Sequence, residues 1–325
     1  MATSPVRETA AGAQGPSPLK ELDDGYVYFG GRIVPFAEAT VSIATHALHY
    51  GTGCFEGIRA YWNADEEQLY ALKMSEHYAR FLQSCAMVHI DCPHTVEDLT
   101  SITRDLLRRN AFRQDVYIRP LGYKASRVIK VGLDGLRDEI AILAAAMGNY
   151  VSVDGLRVEV STWQRTSDNA IPARSKLTGG YVNVALAASG AHRNGCDEAL
   201  LLNAQGHVSE GSGSNVFIWR RGALSTPPVS DDILEGITRD VVMELAAAEG
   251  IPVIERPIDR SELYVADEVF LTGTGAQVAP VTVIDGRPVG TGLIGPVATR
   301  LKAAFFRAVR GQDSRFREWL TPIYD

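Results

Sequence analysis

Cysteine is scarce in this chain, four residues in 325, and Cys54, Cys85, Cys92 and Cys196 stand apart with no Cys-x-x-Cys pair. That pattern offers neither a zinc knuckle nor a redox dithiol, and reduced thiols in a cytoplasm are the simplest expectation. Long apolar runs are lacking too. The stretch 140–147 is far short of the roughly 18 residues a membrane-spanning helix needs, and it reads as a buried strand. Positive charge is not in excess: 32 Lys and Arg stand against 39 Asp and Glu, a formal charge of −7 with pI near 5.6. A phosphate-backbone partner needs a basic face, so nucleic acid is not expected. The first twenty residues are rich in Ala, Ser, Pro and Gly but lack an apolar core, which suits a disordered tail better than a signal peptide. There is no internal repeat, and the Gly273-x-Gly275 cluster does not match a Gly-x-Gly-x-x-Gly dinucleotide fingerprint.

What is present is a globular composition, 46% hydrophobic and 22% charged, long enough for one large or two medium domains. Short strands are predicted at 26–29 and 32–34 around the Gly30-Gly31 turn, then helices over 75–87 and 95–110. The second carries Leu99, Ile102, Leu106 and Leu107 on one face. Strands at 116–121 and 139–147 complete an α+β unit over 21–147, after the 1–20 tail. The segment 148–156 is polar and Gly-containing and suits an interdomain connection. Over 157–325 strands dominate, at 157–161, 198–202, 216–219 and 268–272, with helices at 182–194 and 238–249. Many short strands between Gly turns suggest a sheet folded on itself with helices outside.

Chemistry concentrates in a few segments. Ile171-Pro-Ala-Arg-Ser-Lys176-Leu-Thr-Gly-Gly-Tyr181 puts a lysine before a glycine pair and a tyrosine. Val208-Ser-Glu210-Gly-Ser-Gly-Ser-Asn215 frames a glutamate with small residues. Lysine amines bond covalently to carbonyl cofactors, a carboxylate keeps a pyridinium nitrogen protonated, and a phenol can bond a ring oxygen. Singly, each is more simply a surface lysine, a turn glutamate and a core tyrosine. Leu234-Glu-Gly236-Ile237-Thr238 reads as a Gly turn entering a helix, with free N–H groups and a hydroxyl for an anion or else an ordinary threonine N-cap. Leu271-Thr-Gly273-Thr274-Gly275-Ala276 offers backbone amides and a hydroxyl after a strand, as a phosphate or carboxylate cradle would. The pair His46-x-x-His49 has helical spacing, but no third ligand stands at a recognisable metal-motif spacing, so no metal is expected. His192 and His207 read as surface or turn residues.

Taken in order, His46-Ala-Leu-His-Tyr50-Gly-Thr-Gly-Cys-Phe55-Glu-Gly-Ile-Arg59, Tyr117-Ile-Arg119-Pro, the Lys176 segment, Ser209-Glu210-Gly, Gly236-Ile-Thr-Arg and Gly273-Thr resemble the branched-chain amino acid aminotransferases. The resemblance runs from about Tyr26 to Leu320. It implies a fold-type IV enzyme dependent on pyridoxal 5'-phosphate: an α+β, two-domain fold with a small α/β domain and a larger pseudo-barrel β domain with surrounding helices. It implies that Lys176 carries the cofactor and moves the substrate proton, that Tyr181 bonds the cofactor's phenolate oxygen, that Glu210 pairs with its ring nitrogen, and that Leu234 packs on the ring. Arg80, Ile237, Thr238 and Thr274 would hold its phosphate. Phe55 and Tyr181 would wall the substrate side chain, Tyr117 with the Thr274 and Gly275 amides would bind the α-carboxylate, and Arg119 would bind the distal carboxylate of glutamate. Tyr50 would reach into a partner's pocket, so at least a homodimer is implied, with branched-chain or other apolar L-amino acids and 2-oxoglutarate as the small-molecule substrates.

The chain departs from the family at Lys124, Arg127 and Lys130, where relatives more often have an uncharged Gly-rich loop covering the substrate. It departs again at Met147, where several have tryptophan, and in a connection to Lys176 that reads as shortened. Those departures bear on the side-chain pocket. The competing readings are a D-amino-acid or R-selective amine transaminase, disfavoured by Tyr117-Ile-Arg119; a fold-type IV lyase acting on aminodeoxychorismate, disfavoured by Arg59, Tyr117 and Arg119; and a non-catalytic cofactor-binding protein.

Overall fold

The turn Gly30-Gly31 has both residues at positive φ, 58° and 81°, which two adjacent glycines adopt without Cβ strain, and it closes the first hairpin. The structure, a computed structural model, describes residues 24–148 and 155–324. The expected tail lies outside the described residues, as does most of the expected connection.

The first sheet is built from β1 (Tyr26–Phe29), β2 (Arg32–Pro35), β3 (Gly53–Phe55), β4 (Ile58–Asn63), β5 (Gln68–Leu72), β6 (Val116–Lys124) and β7 (Asp138–Ala146). The second holds β8 (Leu156–Val160), β9 (Glu198–Leu202), β10 (Val208–Gly211), β11 (Asn215–Arg220), β12 (Ala223–Thr226), β13 (Val253–Glu255), β14 (Glu268–Gly273), β15 (Gln277–Ile284) and β16 (Arg287–Pro288). A last strand, β17 (Leu320–Pro322), returns to the first sheet against β5. The first sheet is antiparallel, ordered β17-β5-β4-β6-β7-β1-β2 with β3 on the end of β6. The second is mixed, ordered β10-β9-β8-β15-β14-β11-β12-β13, and its end strand β10 folds back against β11. This is the pseudo-barrel expected from many short strands.

Helices α1 (His46–Tyr50), α2 (Met74–Met87), α3 (Val96–Asn110), α4 (Tyr181–Arg193), α5 (Ile237–Ala248) and α6 (Pro296–Val309) pack on the sheets. Thr95 caps α3 in a reciprocal capping box with Asp98, and Leu99, Leu106 and Leu107 are buried against the first sheet. A separate core joins the halves. Tyr61, Tyr70 and Leu72 of the first sheet pack with Phe217 and Phe270 of the second and with Leu301 and Phe305 of α6.

One expectation needs correcting. Lys124 is not in a loop over the substrate: β6 runs on to it, its side chain is buried, and its ammonium pairs with Asp138 at 2.8 Å and donates to the His89 carbonyl. The charge is tolerated because a carboxylate partner stands directly beside it.

The segment bearing Lys176 is fastened to β3 by backbone. Phe55 N–H donates to the Lys176 carbonyl at 3.0 Å, Cys54 bridges Leu177, and the Gly179 N–H donates to the Gly51 carbonyl at 3.1 Å. Thr178 adds a hydroxyl donated to the same carbonyl at 2.8 Å. The approach is close because both residues are glycine: at Gly51, φ is +63° and a Cβ would lie 2.7 Å from Gly179 Cα. Gly51→Ala therefore costs about 1–2 kcal/mol for the left-handed backbone and more for the collision. Gly206 has φ of +85° and open space around it, so Gly206→Ala loses on the backbone alone. In urea unfolding Gly51→Ala is expected to lose clearly more stability than Gly206→Ala; equal losses would mean that the close approach does not hold the loop.

Candidate active site

Between the two sheets lies a cleft of about 880 Å³ counted with its open mouth. Into it the Lys176 loop projects an amine. The Nζ of Lys176 donates to the Tyr181 hydroxyl at 2.5 Å and sits 5.1 Å from the Phe55 ring centroid. Tyr181 begins α4, five residues on, so the 3-10 turn at Thr178–Gly180 sets the two side chains face to face.

Opposite stands Glu210 on β10, 6% exposed. Its Oε1 accepts from Arg165 Nε at 2.8 Å, and its Oε2 accepts from Leu234 N–H at 3.0 Å and Asn215 Nδ2 at 3.2 Å. Burial pushes this carboxyl above the ordinary range, and the Arg165 charge opposes that push. Among the described residues one lone pair of Oε1 has no donor.

A third group of donors converges on the same cleft. Gly236 precedes α5 without a side-chain cap, leaving the N–H groups of Ile237 and Thr238 without helical acceptors. Thr238 is thus the second helical residue and not the N-cap. A Cβ at Gly236 would lie 1.9 Å from Asn215 Oδ1, so the turn stays open only with glycine. Arg80 reaches in from α2. Its Nε and Nη2 donate to Glu56 at 2.7 and 2.9 Å and its Nη1 to the Glu235 carbonyl at 2.6 Å, which uses three of its five N–H groups. Thr272 and Ser214 hydroxyls are buried at the cleft wall without a partner among the described residues. Thr274 donates its hydroxyl to the Gly57 carbonyl at 2.9 Å, while neither its own N–H nor that of Gly275 meets an acceptor among the described residues.

On the mouth side Tyr117 from β6 lines the cleft, and its hydroxyl accepts from Arg119 Nη2 at 2.9 Å. Arg119 lies over the Phe55 ring at 4.4 Å, and that ring meets Tyr181 at 4.7 Å. A Cβ at Gly57 would fall 2.2 Å from the Tyr117 hydroxyl, so glycine makes room for it. Tyr50 is elsewhere: it is partly exposed on α1, its ring against His46. His46 and His49 have separate tasks, His46 bonding Thr52 and the Lys130 carbonyl, His49 bonding the Ile43 carbonyl.

An amine beside a phenol, a buried carboxylate and an open anion cradle in one cleft suit covalent amine chemistry on a phosphorylated ring. Residues 53–284 match the family model described as amino-transferase class IV. The chain belongs to the class-IV aminotransferases. A probable branched-chain-amino-acid aminotransferase of Aquifex aeolicus is 49% identical over 309 residues, 94% of this chain and 99% of that one. The crystal structure of a branched-chain aminotransferase from Thermoproteus uzoniensis with norvaline superposes with TM-score 0.89 at 42% identity, covering 93% of this chain and all of that one. That of the branched-chain amino acid aminotransferase from Thermobaculum terrenum, in its PLP-bound holo form, gives TM-score 0.89 at 38% identity over 93% of this chain and 99% of that one. The fold is therefore that of fold-type IV, and the protein is a transaminase.

Sequence reasoning missed Arg165, Glu56, Thr272 and Ser214. Arg165 falls in an irregular stretch with no period to mark it. Its effect on Glu210 is testable through pH. The folded-state pKa of Glu210 is raised, so this group's stabilising effect is full below the unfolded pKa and is lost as pH rises through the folded one. Arg165→Met raises that pKa further. The stability deficit of Arg165→Met relative to wild type should widen from pH 5 to pH 8 in denaturant titrations, and a deficit independent of pH would show that Arg165 does not govern the ionisation.

Proposed function

We propose that this transaminase moves the amino group of branched-chain or other apolar L-amino acids to 2-oxoglutarate, using pyridoxal 5'-phosphate held in the cleft. The observation that carries the reading is the Lys176 amine, 2.5 Å from the Tyr181 hydroxyl, in a cleft that also contains a buried carboxylate and an uncapped helix start. The names of the relatives support the substrate class, and the PLP-bound form of one of them supports the cofactor.

The residues present fit that cofactor. Among the described residues Arg80 has two N–H groups unused, α5 presents an open N-terminus and two buried hydroxyls lack partners, a donor set suited to a phosphate dianion. Ile237, Thr238 and Thr274 complete that cradle, Glu210 has the free lone pair a ring N–H requires, and Leu234 supplies an apolar wall. When bound, pyridoxal phosphate supplies a carbonyl that takes amines covalently and a ring that draws electrons from the bonds of the amino carbon.

The chain's own groups do the rest. Lys176 Nζ would hold the cofactor, and its amine is the group placed to take a proton from the amino carbon as a base and return it as a general acid. Tyr181 keeps that amine oriented. Tyr117 and the unpaired N–H groups of Thr274 and Gly275 bind the α-carboxylate. Phe55 and Tyr181 form an apolar wall for a leucine-like chain, and Arg119, stacked on Phe55, gives the same wall a cation for the distal carboxylate of glutamate. One pocket thus accepts both partners of the exchange. The site lies at the junction of a small domain, 21–147, and a large one, 157–325.

The working form is a homodimer with shared sites. Ile43, Ile129 and Val131 are 88%, 91% and 79% exposed, and their two segments run side by side, joined by the Thr45–Arg127 bridge and the bond from His46 N–H to the Ser126 carbonyl. A second copy covers such an apolar patch and brings Tyr50 to its neighbour's cleft.

Two measurements test this. In single half-reactions, L-leucine, L-valine and L-glutamate should each discharge the visible absorbance of the holoenzyme, while D-alanine and a chiral amine should not. Turnover of D-alanine with L-leucine silent would overturn the L-amino-acid reading, and Lys176→Ala should lose transfer altogether. By light scattering, Ile43→Glu with Ile129→Glu should shift a dimeric wild type toward monomer; an unchanged mass would remove that patch from the interface.

A further inference from the structure

Behind Arg80 lies a buried cluster that no step above uses. Glu56 follows β3 and is fully buried, and its carboxylate takes a side-on bidentate pair from Arg80, a bond from His77 Nδ1 at 2.8 Å and the Gly57 N–H at 3.2 Å. His77 and Arg80 are three residues apart on α2 and so share one face of the helix. Burial alone would push the Glu56 carboxyl up, but Arg80 and His77 together hold it well below the ordinary range. His77 is driven toward its neutral form by burial, so its Nδ1–H donates to a carboxylate that is charged. The backbone N–H of Glu56 is itself fixed to the Pro120 carbonyl at 2.9 Å.

We propose that Glu56, braced by His77, is the positioning residue for Arg80, setting the orientation in which its guanidinium meets the cofactor phosphate. The inference rests on the cofactor reading above. Two effects of Glu56 oppose one another. Its charge repels a phosphate dianion and partly cancels the arginine, which would weaken binding. Its geometry ties the Nε edge and one Nη2 N–H of Arg80 to Glu56, with Nη1 held by Glu235, so the remaining N–H groups are aimed at the cleft before any ligand arrives. An arginine freed of Glu56 would be a buried charge without its counter-ion and would reorient to find one. Orientation prevails because the pair is buried, short and bidentate, and because the phosphate's charge is answered by α5 and not by Arg80 alone.

The test is an equilibrium titration of cofactor-free protein with pyridoxal phosphate, followed by visible absorbance, for wild type, Glu56→Gln, Glu56→Asp, Arg80→Ala and the Glu56→Gln, Arg80→Ala double variant. Glu56→Gln should weaken cofactor binding about 10–100-fold, as loss of an outer-shell partner does at other ligand-holding groups. Glu56→Asp keeps the charge and should lose less. In the Arg80→Ala background the same Glu56→Gln change should alter affinity by no more than about twofold, because a residue acting through Arg80 has nothing left to position. Unchanged or tighter binding in Glu56→Gln, or an equal loss with and without Arg80, overturns the proposal. If Glu56→Gln does not fold, the cycle run with Glu56→Asp decides between the same two outcomes. A wild type that binds no pyridoxal phosphate overturns the cofactor reading itself, which separates the two failures.

Discussion

The attachment of the Lys176 segment to the end of β3 is the constraint on which the rest of the molecule depends. Phe55, Leu177 and the Gly51–Gly179 contact tie a loop leading out of the second sheet's first strand to the first sheet. Without that seam the Lys176 amine would be on a flexible surface segment, where lysines usually stand. With it, the amine faces Tyr181 and Phe55 in a cleft whose far wall is made by β10, β14 and α5. Glycine at 51 is required on steric grounds, glycine at 179 keeps the approach close, and the Thr178 hydroxyl adds a bond to the Gly51 carbonyl at the same seam.

Around that seam two buried carboxylates are treated in opposite ways. Glu210 sits where burial dominates and its carboxyl is pushed up, with the Arg165 charge the foremost opposing influence. Glu56 sits where a bidentate arginine and a histidine outweigh burial, and its carboxyl is held down. The first arrangement leaves a responsive acceptor facing the cleft. The second makes a fixed counter-ion behind it. Both arginines come from outside the elements that carry their partners, so the electrostatics of the site depend on the packing of α2 and of the irregular 161–172 stretch against the sheets.

Much of this was legible in the sequence, and the particular residues explain why. The strand and helix patterns of 26–34, 75–110 and 116–146 have clear periods, and the Gly30-Gly31 pair marks a turn. Lys176, Tyr181 and Glu210 stand among small residues in the order the family shows, which drew them out. Three kinds of information were not local. Lys124 looked like a loop cation because nothing nearby announces Asp138 across the β6–β7 register. Arg165 and Glu56 act through partners 45 and 24 residues away along the chain. Thr272 and Ser214 are ordinary small residues whose importance lies only in having buried hydroxyls with no partner among the described residues. The return of β17 to β5 likewise depends on a pairing between segments far apart along the chain, which no local window can register.

One amine, that of Lys176 fixed by the β3 seam, is proposed to hold the cofactor. Reduction of the holoenzyme with borohydride, followed by proteolysis and mass spectrometry, tests it most directly. A single phosphopyridoxyl adduct is expected, on the peptide containing Lys176. An adduct on another lysine, or none on a protein that retains transaminase activity, would contradict it.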